Sequence, residues 1–240
     1  MLRKQSVHVM FLVAMILSTS SFSQNFDGTV FSSSKPFYGE PPYHFEGSEY
    51  YSITFKTNPD IIRLLVPEPL VPVSKDVMKV TFAKQKMSYP VKFDYNEVFL
   101  SIPVSFNEIY GGYIPVLYLN KVETTIGGRE IWGFNKVGAE IIFSGDDKQV
   151  SVTVSQMDTL IMKASFILGE PFSPSEKPQS GGVINLKYIP AVAKNAPPDV
   201  HQLTFTPSKE GMAEARESKT TLVRKGEAKL EFYSSFYNPY

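Results

Sequence analysis

The sequence contains no cysteine among its 240 residues. This absence excludes a disulfide framework, a thiol nucleophile and any metal site built on thiolates. Only three histidines occur, so zinc motifs that need several of them, such as HExxH, are absent as well. Basic and acidic side chains balance at 24 each, which gives no excess charge for binding nucleic acid. A nucleic-acid partner is therefore not expected.

The sequence also lacks the common phosphate-binding and hydrolase motifs. There is no phosphate loop, no dinucleotide fingerprint and no G-x-S-x-G turn. The glycine pairs at Gly111, Gly127 and Gly181 are isolated, which is more typical of turns than of phosphate cradles. No metal, nucleotide or flavin cofactor is predicted from these patterns.

A short apolar run at the N-terminus, Val9–Leu17, follows two basic residues and precedes a serine-rich stretch. This pattern predicts a secretory signal peptide over residues 1–23, and the run is too short to span a bilayer as a mature helix. Cleavage before Gln24 would leave a single domain over residues 24–240, secreted or periplasmic in a bacterium and not membrane-bound. An N-terminal anchor and a buried helix are the alternatives.

The rest of the chain has the alternation and the β-branched and aromatic content of a mostly β protein. One short helix is predicted after Asn58, since Pro59 suits the first helical position and the proline pair Pro67 and Pro69 ends it. Lys121–Gly128 is ambiguous and has room for one or two helical turns. Turns are predicted at Asp146-Asp147 and Lys225-Gly226. The predicted strands, which suggest a barrel or sandwich, are Tyr50–Lys56, Val77–Lys86, Val98–Phe106, Tyr113–Leu119, Ala139–Ser144, Gln149–Gln156, Leu160–Leu168, Val183–Ile189, Gln202–Thr206, Thr220–Val223 and Ala228–Phe232.

The most informative stretch runs from Gly128 to Gly138. It holds the only tryptophan of the chain, Trp132, and a lysine, Lys136, set among apolar side chains. By composition alone, Lys136 is more typical of a surface lysine whose stem lies along an aromatic ring.

This stretch resembles the acetoacetate decarboxylase family, whose motif is Gly-Arg-Glu followed by an aromatic residue and the Schiff-base lysine. Further segments resemble the family in the same order, from about Tyr43 to the C-terminus. The segments are Tyr50–Thr57, Val66–Leu70, Ile102–Phe106, Tyr113–Leu119, Gly128-Arg129-Glu130 with Phe134 and Lys136, and Asn185–Pro190.

The resemblance implies a fold, an activity and a set of site residues. The fold would be an antiparallel, closed, cone-like β-barrel with a few short helices, assembled as a homo-oligomer. Lys136 would form an imine with a small keto acid, and Glu97 would position substrate and move protons. No cofactor is needed, because the lysine itself supplies the electron sink. Arg129, Glu130, Trp132 and Phe134 would bind substrate.

The chain departs from the family pattern at four positions. A second lysine usually follows the imine-forming one, but Val137 stands here, so burial must do more to lower the lysine pKa. The family's arginine near the first strand falls on Ser48, and a second glutamate falls near Thr81. Asn135 replaces the usual proline.

These departures leave three functions open. The first is a lyase acting through a lysine imine, either as a decarboxylase or by aldol or dehydration chemistry. The second is an exported binding protein that uses the same barrel pocket without catalysis. The third is a structural secreted β protein, in which Lys136 would be fully exposed.

Overall fold

The computed structural model describes residues 43–89, 91–171, 181–207 and 224–233. All of them belong to one compact unit, Tyr38–Tyr240. The predicted signal peptide, residues 1–23, and the predicted strand Thr220–Val223 lie outside these ranges. Within the described ranges, no helix has the length and apolar content needed to cross a membrane.

The structure is mostly β, as the sequence predicts. Two helices are described, α1 at Pro59–Leu65 and α2 at Glu123–Trp132. The strands are β1 His44–Phe45, β2 Glu49–Lys56, β3 Val71–Pro72, β4 Val77–Tyr89, β5 Phe93–Phe106, β6 Ile109–Tyr113, β7 Leu117–Leu119, β8 Lys136–Gly138, β9 Glu140–Gly145, β10 Gln149–Gln156, β11 Thr159–Pro171, β12 Gly182–Ile189, β13 Val200–Thr206 and β14 Arg224–Phe232.

Helix α1 forms where the sequence predicts it. The Asn58 side chain accepts a hydrogen bond from the Asp60 amide, and Pro59 occupies the first turn. Ile62 is the buried residue of this helix, and the helix ends at Leu65, just before Pro67. The N-cap, the proline and the apolar side therefore agree on one short helix.

The strands form two sheets. The larger has ten strands, with the path β1-β4-β5-β6-β12-β13, and β2, β3, β7 and β8 paired beside it. The smaller has the order β14-β11-β10-β9. The pairings among the described residues do not close either sheet into a barrel, so the closed, cone-like barrel stays a prediction.

The main hydrophobic core joins the two sheets. Phe82 of β4 lies with its ring centroid 5.7 Å from that of Phe166 on β11, in an edge-on arrangement, and both are buried. Val98 of β5 and Val152 of β10 are completely buried in the same cluster. One face of the larger sheet therefore packs on the smaller one, and its opposite face is left to build a site.

Two sequence predictions are corrected by the structure and one ambiguity is resolved. Lys225-Gly226 is not a turn but lies within β14, where Gly226 pairs with Leu168 and a Cβ would meet the Ile167 carbonyl oxygen at 2.5 Å. The predicted strand Tyr113–Leu119 is interrupted between β6 and β7, because Pro115 has no amide to donate to the ladder. The segment Lys121–Gly128, ambiguous in the sequence, is helical from Glu123 onward, and the helix continues to Trp132.

Candidate active site

Strand register places Lys136 and Glu97 on the same face of the larger sheet. Lys136 of β8 pairs with Leu117 of β7, which pairs with Phe99 of β5. Glu97 lies two residues before Phe99, and residues two apart in a strand share a face. This face is opposite to the one that packs against the smaller sheet.

Lys136 is buried, with 8% of its surface exposed. Its Nζ donates a hydrogen bond of 3.1 Å to the carbonyl oxygen of Thr124 in α2. The Nζ also lies 5.9 Å from the ring centre of Tyr95 and 5.8 Å from that of Phe134. Burial lowers the pKa of Lys136, while the charge of Glu97 acts in the opposite direction. Such a lysine is suited to nucleophilic attack as the neutral amine.

Gly128 makes room for this lysine under helix α2. An ideal Cβ at Gly128 would lie 2.4 Å from Cε of Lys136 and 2.9 Å from its Nζ. The helix then ends at Gly133, whose left-handed φ of 71° returns the chain into β8 while its amide bonds the carbonyls of Gly128 and Arg129. The missing side chain at Gly128 and the turn at Gly133 therefore act together to place Lys136 under α2.

Glu97 is also buried and has a defined partner. Its Oε1 accepts a hydrogen bond of 2.7 Å from Nε2 of Gln85 on β4. The Oε1 of Gln85 accepts in turn from the hydroxyl of Tyr50 on β2, at 3.0 Å. Burial and the Glu97 charge raise the pKa of Tyr95, which lies on the same face.

The other predicted site residues lie around the end of α2. The Arg129 guanidinium donates to the carbonyl of Lys136 at 3.2 Å and to the side chain of Asn135 at 3.4 Å. Glu130 is exposed on the same helix. Trp132 is half-buried, with its ring centre 5.2 Å from that of Tyr43. The ring centre of Phe134 lies 5.8 Å from the Lys136 amine. The role of all four in substrate binding stays a prediction.

The structure shows what surrounds three of the positions that depart from the family pattern. Val137 follows Lys136 along the strand and therefore points to the opposite face, where it packs against the main core. The Ser48 hydroxyl accepts a hydrogen bond from the Lys86 amide. Thr81 is buried on the Glu97 face and shares a hydrogen bond of 2.9 Å with Ser52. A residue at position 137 thus cannot act on Lys136 from within the site.

Gln85 and Tyr50 are site residues that sequence reasoning missed. Both lie in strands that the sequence predicted, so their strand positions carried a signal. Which face each residue takes depends on pairing with β5, however, and pairing is not readable from one strand alone. The contact between the Lys136 amine and the Thr124 carbonyl could not be predicted from the sequence, because every residue carries a backbone carbonyl.

The chain belongs to the acetoacetate decarboxylase family. Residues 30–239 match the profile of the family described as Acetoacetate decarboxylase (ADC). A curated relative, acetoacetate decarboxylase 1 of Bradyrhizobium diazoefficiens, is 39% identical over 101 residues, which is 42% of this chain. The matching stretch spans 40% of the length of that relative.

Solved structures share the fold. The acetoacetate decarboxylase of Legionella pneumophila superposes with a TM-score of 0.67 at 24% identity, covering 87% of this chain and 82% of that one. The enduracididine biosynthesis enzyme MppR, in complex with a condensation product of pyruvate and imidazole 4-carboxaldehyde, superposes with a TM-score of 0.67 at 15% identity, covering 83% and 79%. At these identities the two superpositions show the shared fold.

Proposed function

We propose that this protein is an acetoacetate decarboxylase-like lyase that forms an imine between Lys136 and the carbonyl of a small keto acid. The observation that carries the proposal is the buried Lys136, whose pKa burial lowers, on one face with the carboxylate of Glu97. Export and assembly as a homo-oligomer, expected from the sequence, remain predictions.

The chemistry follows from the neutral amine. Lys136 attacks the keto carbon, and loss of water leaves an iminium cation, which draws electrons from the neighbouring carbon. If that carbon carries a carboxylate, the bond to carbon dioxide breaks and its electron pair enters the iminium as an enamine. Protonation on carbon and hydrolysis then release the ketone and restore the amine.

Glu97 suits two parts of this cycle. Its carboxylate offsets the positive charge of the iminium, and it can pass protons during carbinolamine collapse and enamine protonation. The enamine can instead attack an aldehyde, which gives aldol or dehydration chemistry from the same intermediate. The ligand of MppR is a condensation product of pyruvate with an aldehyde, and this supports keeping both outcomes within the proposal.

Reductive trapping tests this proposal. The mature chain is incubated with acetoacetate, pyruvate and other small keto acids, reduced with borohydride and digested for peptide mass spectrometry. We expect an adduct on Lys136 with at least one keto acid. We expect none on Lys84, because its Nζ lies 3.0 Å from Oε2 of Glu49 and this ion pair favours the charged ammonium. Glu97→Gln should keep the adduct and lower turnover by about 100-fold, since proton transfer contributes on that order.

Two results would contradict the lyase. One is a complete panel without any adduct on Lys136, which would favour the non-catalytic binding protein. The other is equal labelling of Lys136→Ala and the unsubstituted chain, which would place the reactive amine elsewhere. Carbon dioxide release, measured on the same samples, separates decarboxylation from condensation.

A further inference from the structure

Gln85 occupies a buried position between two polar groups of the site. It lies on β4, with 7% of its surface exposed. Its amide nitrogen donates to Glu97 at 2.7 Å and its amide oxygen accepts from the Tyr50 hydroxyl at 3.0 Å. Both bonding groups of the amide are therefore used, and neither is directed at Lys136.

The polarity of this chain of hydrogen bonds is fixed by chemistry. An ionised carboxylate has no proton to donate, so Gln85 must present its NH₂ group to Glu97. The amide oxygen is then left to accept. The Tyr50 hydroxyl carries its proton at neutral pH and donates it to that oxygen. The Tyr50 hydroxyl and the Gln85 amide thus both orient their dipoles toward the Glu97 carboxylate.

Glu97 and Lys136 influence each other without forming an ion pair. Among the described residues, Lys84 forms an ion pair with Glu49 at 3.0 Å, but no ion pair joins Lys136 to Glu97. The amine of Lys136 instead donates to the Thr124 carbonyl, while Glu97 holds the Gln85 amide. A buried carboxylate and a buried amine on one face would ordinarily attract each other into contact.

We propose that Gln85 is a positioning residue whose amide holds the Glu97 carboxylate out of an ion pair with Lys136. This inference rests on the proposed roles of Glu97 and Lys136 as a reacting pair. A direct ion pair would stabilise the ammonium form of Lys136 and remove the neutral amine that must attack the carbonyl. With Gln85 in place, Glu97 remains close enough to balance a cation at that nitrogen.

Among the described residues, Glu97 is the charged group that acts on the pKa of Lys136, and it does so from β5. Tyr95 and Glu97 face it from β5, and Tyr50 reaches the same face from β2 through Gln85. From α2, the Arg129 guanidinium meets the backbone carbonyl of Lys136 rather than its amine. Gln85 therefore acts on Lys136 through the position of the Glu97 carboxylate.

The test measures how readily the Lys136 amine is acetylated as a function of pH. Acetic anhydride labels neutral amines, and peptide mass spectrometry follows Lys136 alone in the intact mature chain. In Gln85→Leu, which keeps the volume and removes the amide, we expect the midpoint to rise by about one pH unit, a tenfold loss of labelling below it. In a Glu97→Gln background the same Gln85→Leu change should leave the midpoint unmoved.

The matched control is Gln149→Leu, which makes the same exchange at an exposed position on β10 and should leave the midpoint unchanged. Tyr50→Phe removes the hydroxyl that donates to Gln85 and should raise the midpoint of Lys136 acetylation by a smaller amount. It also replaces Gln85→Leu if circular dichroism shows that this variant does not fold.

Two outcomes would overturn the positioning role. The first is a midpoint that stays the same or falls when the hydrogen-bonded chain is broken. The second is a rise that persists when Glu97 is already glutamine, since Gln85 would then act on the lysine by another route. Acetylation requires no keto acid, so a rise in midpoint without any keto-acid adduct would uphold Gln85 and overturn the lyase.

Discussion

Gly128 is the residue on which the placement of Lys136 depends most directly. An added Cβ would lie 2.4 Å from Cε and 2.8 Å from Cδ of the lysine, so the lysine must move. In Gly128→Ala we expect adduct formation on Lys136 to fall by about 100-fold, as for other displacements of about 1 Å. The fold should persist, because alanine favours a helix by about 1 kcal/mol over glycine, which offsets part of the crowding.

The control for this substitution is Gly138→Ala, two residues after the lysine. A Cβ at Gly138 would meet nothing within 4 Å, and the adduct rate should stay within about twofold of the original. Equal rates in Gly128→Ala and the unsubstituted chain would show that the lysine does not need this space. Thermal unfolding, followed by circular dichroism, separates a displaced lysine from a lost fold.

At the residue scale, sequence reasoning could find the groups that carry charge in the proposed reaction. Lys136 and Glu97 emerge from a resemblance and lie on one face in the structure. Gln85 could not be found that way, because its importance comes from a partner 12 residues away across a strand pair. The effect of Val137 was also beyond reach, since strand alternation turns that side chain into the core.

At the scale of elements, the end of α2 is tied to two strands of the larger sheet. The carbonyl of Trp132 accepts from the Thr204 hydroxyl at 2.6 Å and from the Asn185 amide at 3.2 Å. This carbonyl lies four residues before Lys136, so these bonds fix where the returning chain begins. We expect Thr204→Val, which removes the hydroxyl at nearly constant shape, to cost about 1 kcal/mol of unfolding free energy.

The same change should also lower the rate of adduct formation, since the position of Lys136 becomes less defined. Thr206→Val, on the same strand and the same face, is the control, and urea unfolding gives the free energies. A Thr204→Val chain with the original stability and adduct rate would show that the Asn185 bond alone fixes the helix end.

Elements were predicted best where one signal dominates. The cap and prolines of α1 and the alternation of β10 gave bounds that agree with the structure at Pro59 and Gln149. Helix α2 stayed ambiguous because glycines at 127 and 128 each disfavour a helix by about 1 kcal/mol. Gly128 leaves space for a lysine eight residues later. Helix propensity considers only the local sequence and therefore does not predict this contact.

At the scale of the whole molecule, the two faces of the larger sheet have different tasks. One face packs on the smaller sheet through the aromatic contact between Phe82 and Phe166. The other carries Glu97 and Lys136 under α2. Alternation and β-branched content predicted this architecture as far as a mostly β fold, while closure into a barrel depends on strand pairings that the sequence does not specify.

Because both sheets share one core, we expect them to unfold together. Phe166 is 6% exposed and also contacts the ring of Tyr51 at 5.3 Å, so Phe166→Ala should cost about 3–5 kcal/mol. The single tryptophan, Trp132, lies at the end of α2 against the larger sheet and gives a fluorescence signal far along the chain from the substitution. Its unfolding midpoint in urea should fall together with the midpoint from circular dichroism.

Ile167→Ala, at the neighbouring position that is 55% exposed, is the control and should cost about 1 kcal/mol or less. If Trp132 fluorescence kept its midpoint while circular dichroism lost amplitude earlier, the smaller sheet would unfold alone, and the site would not depend on the shared core.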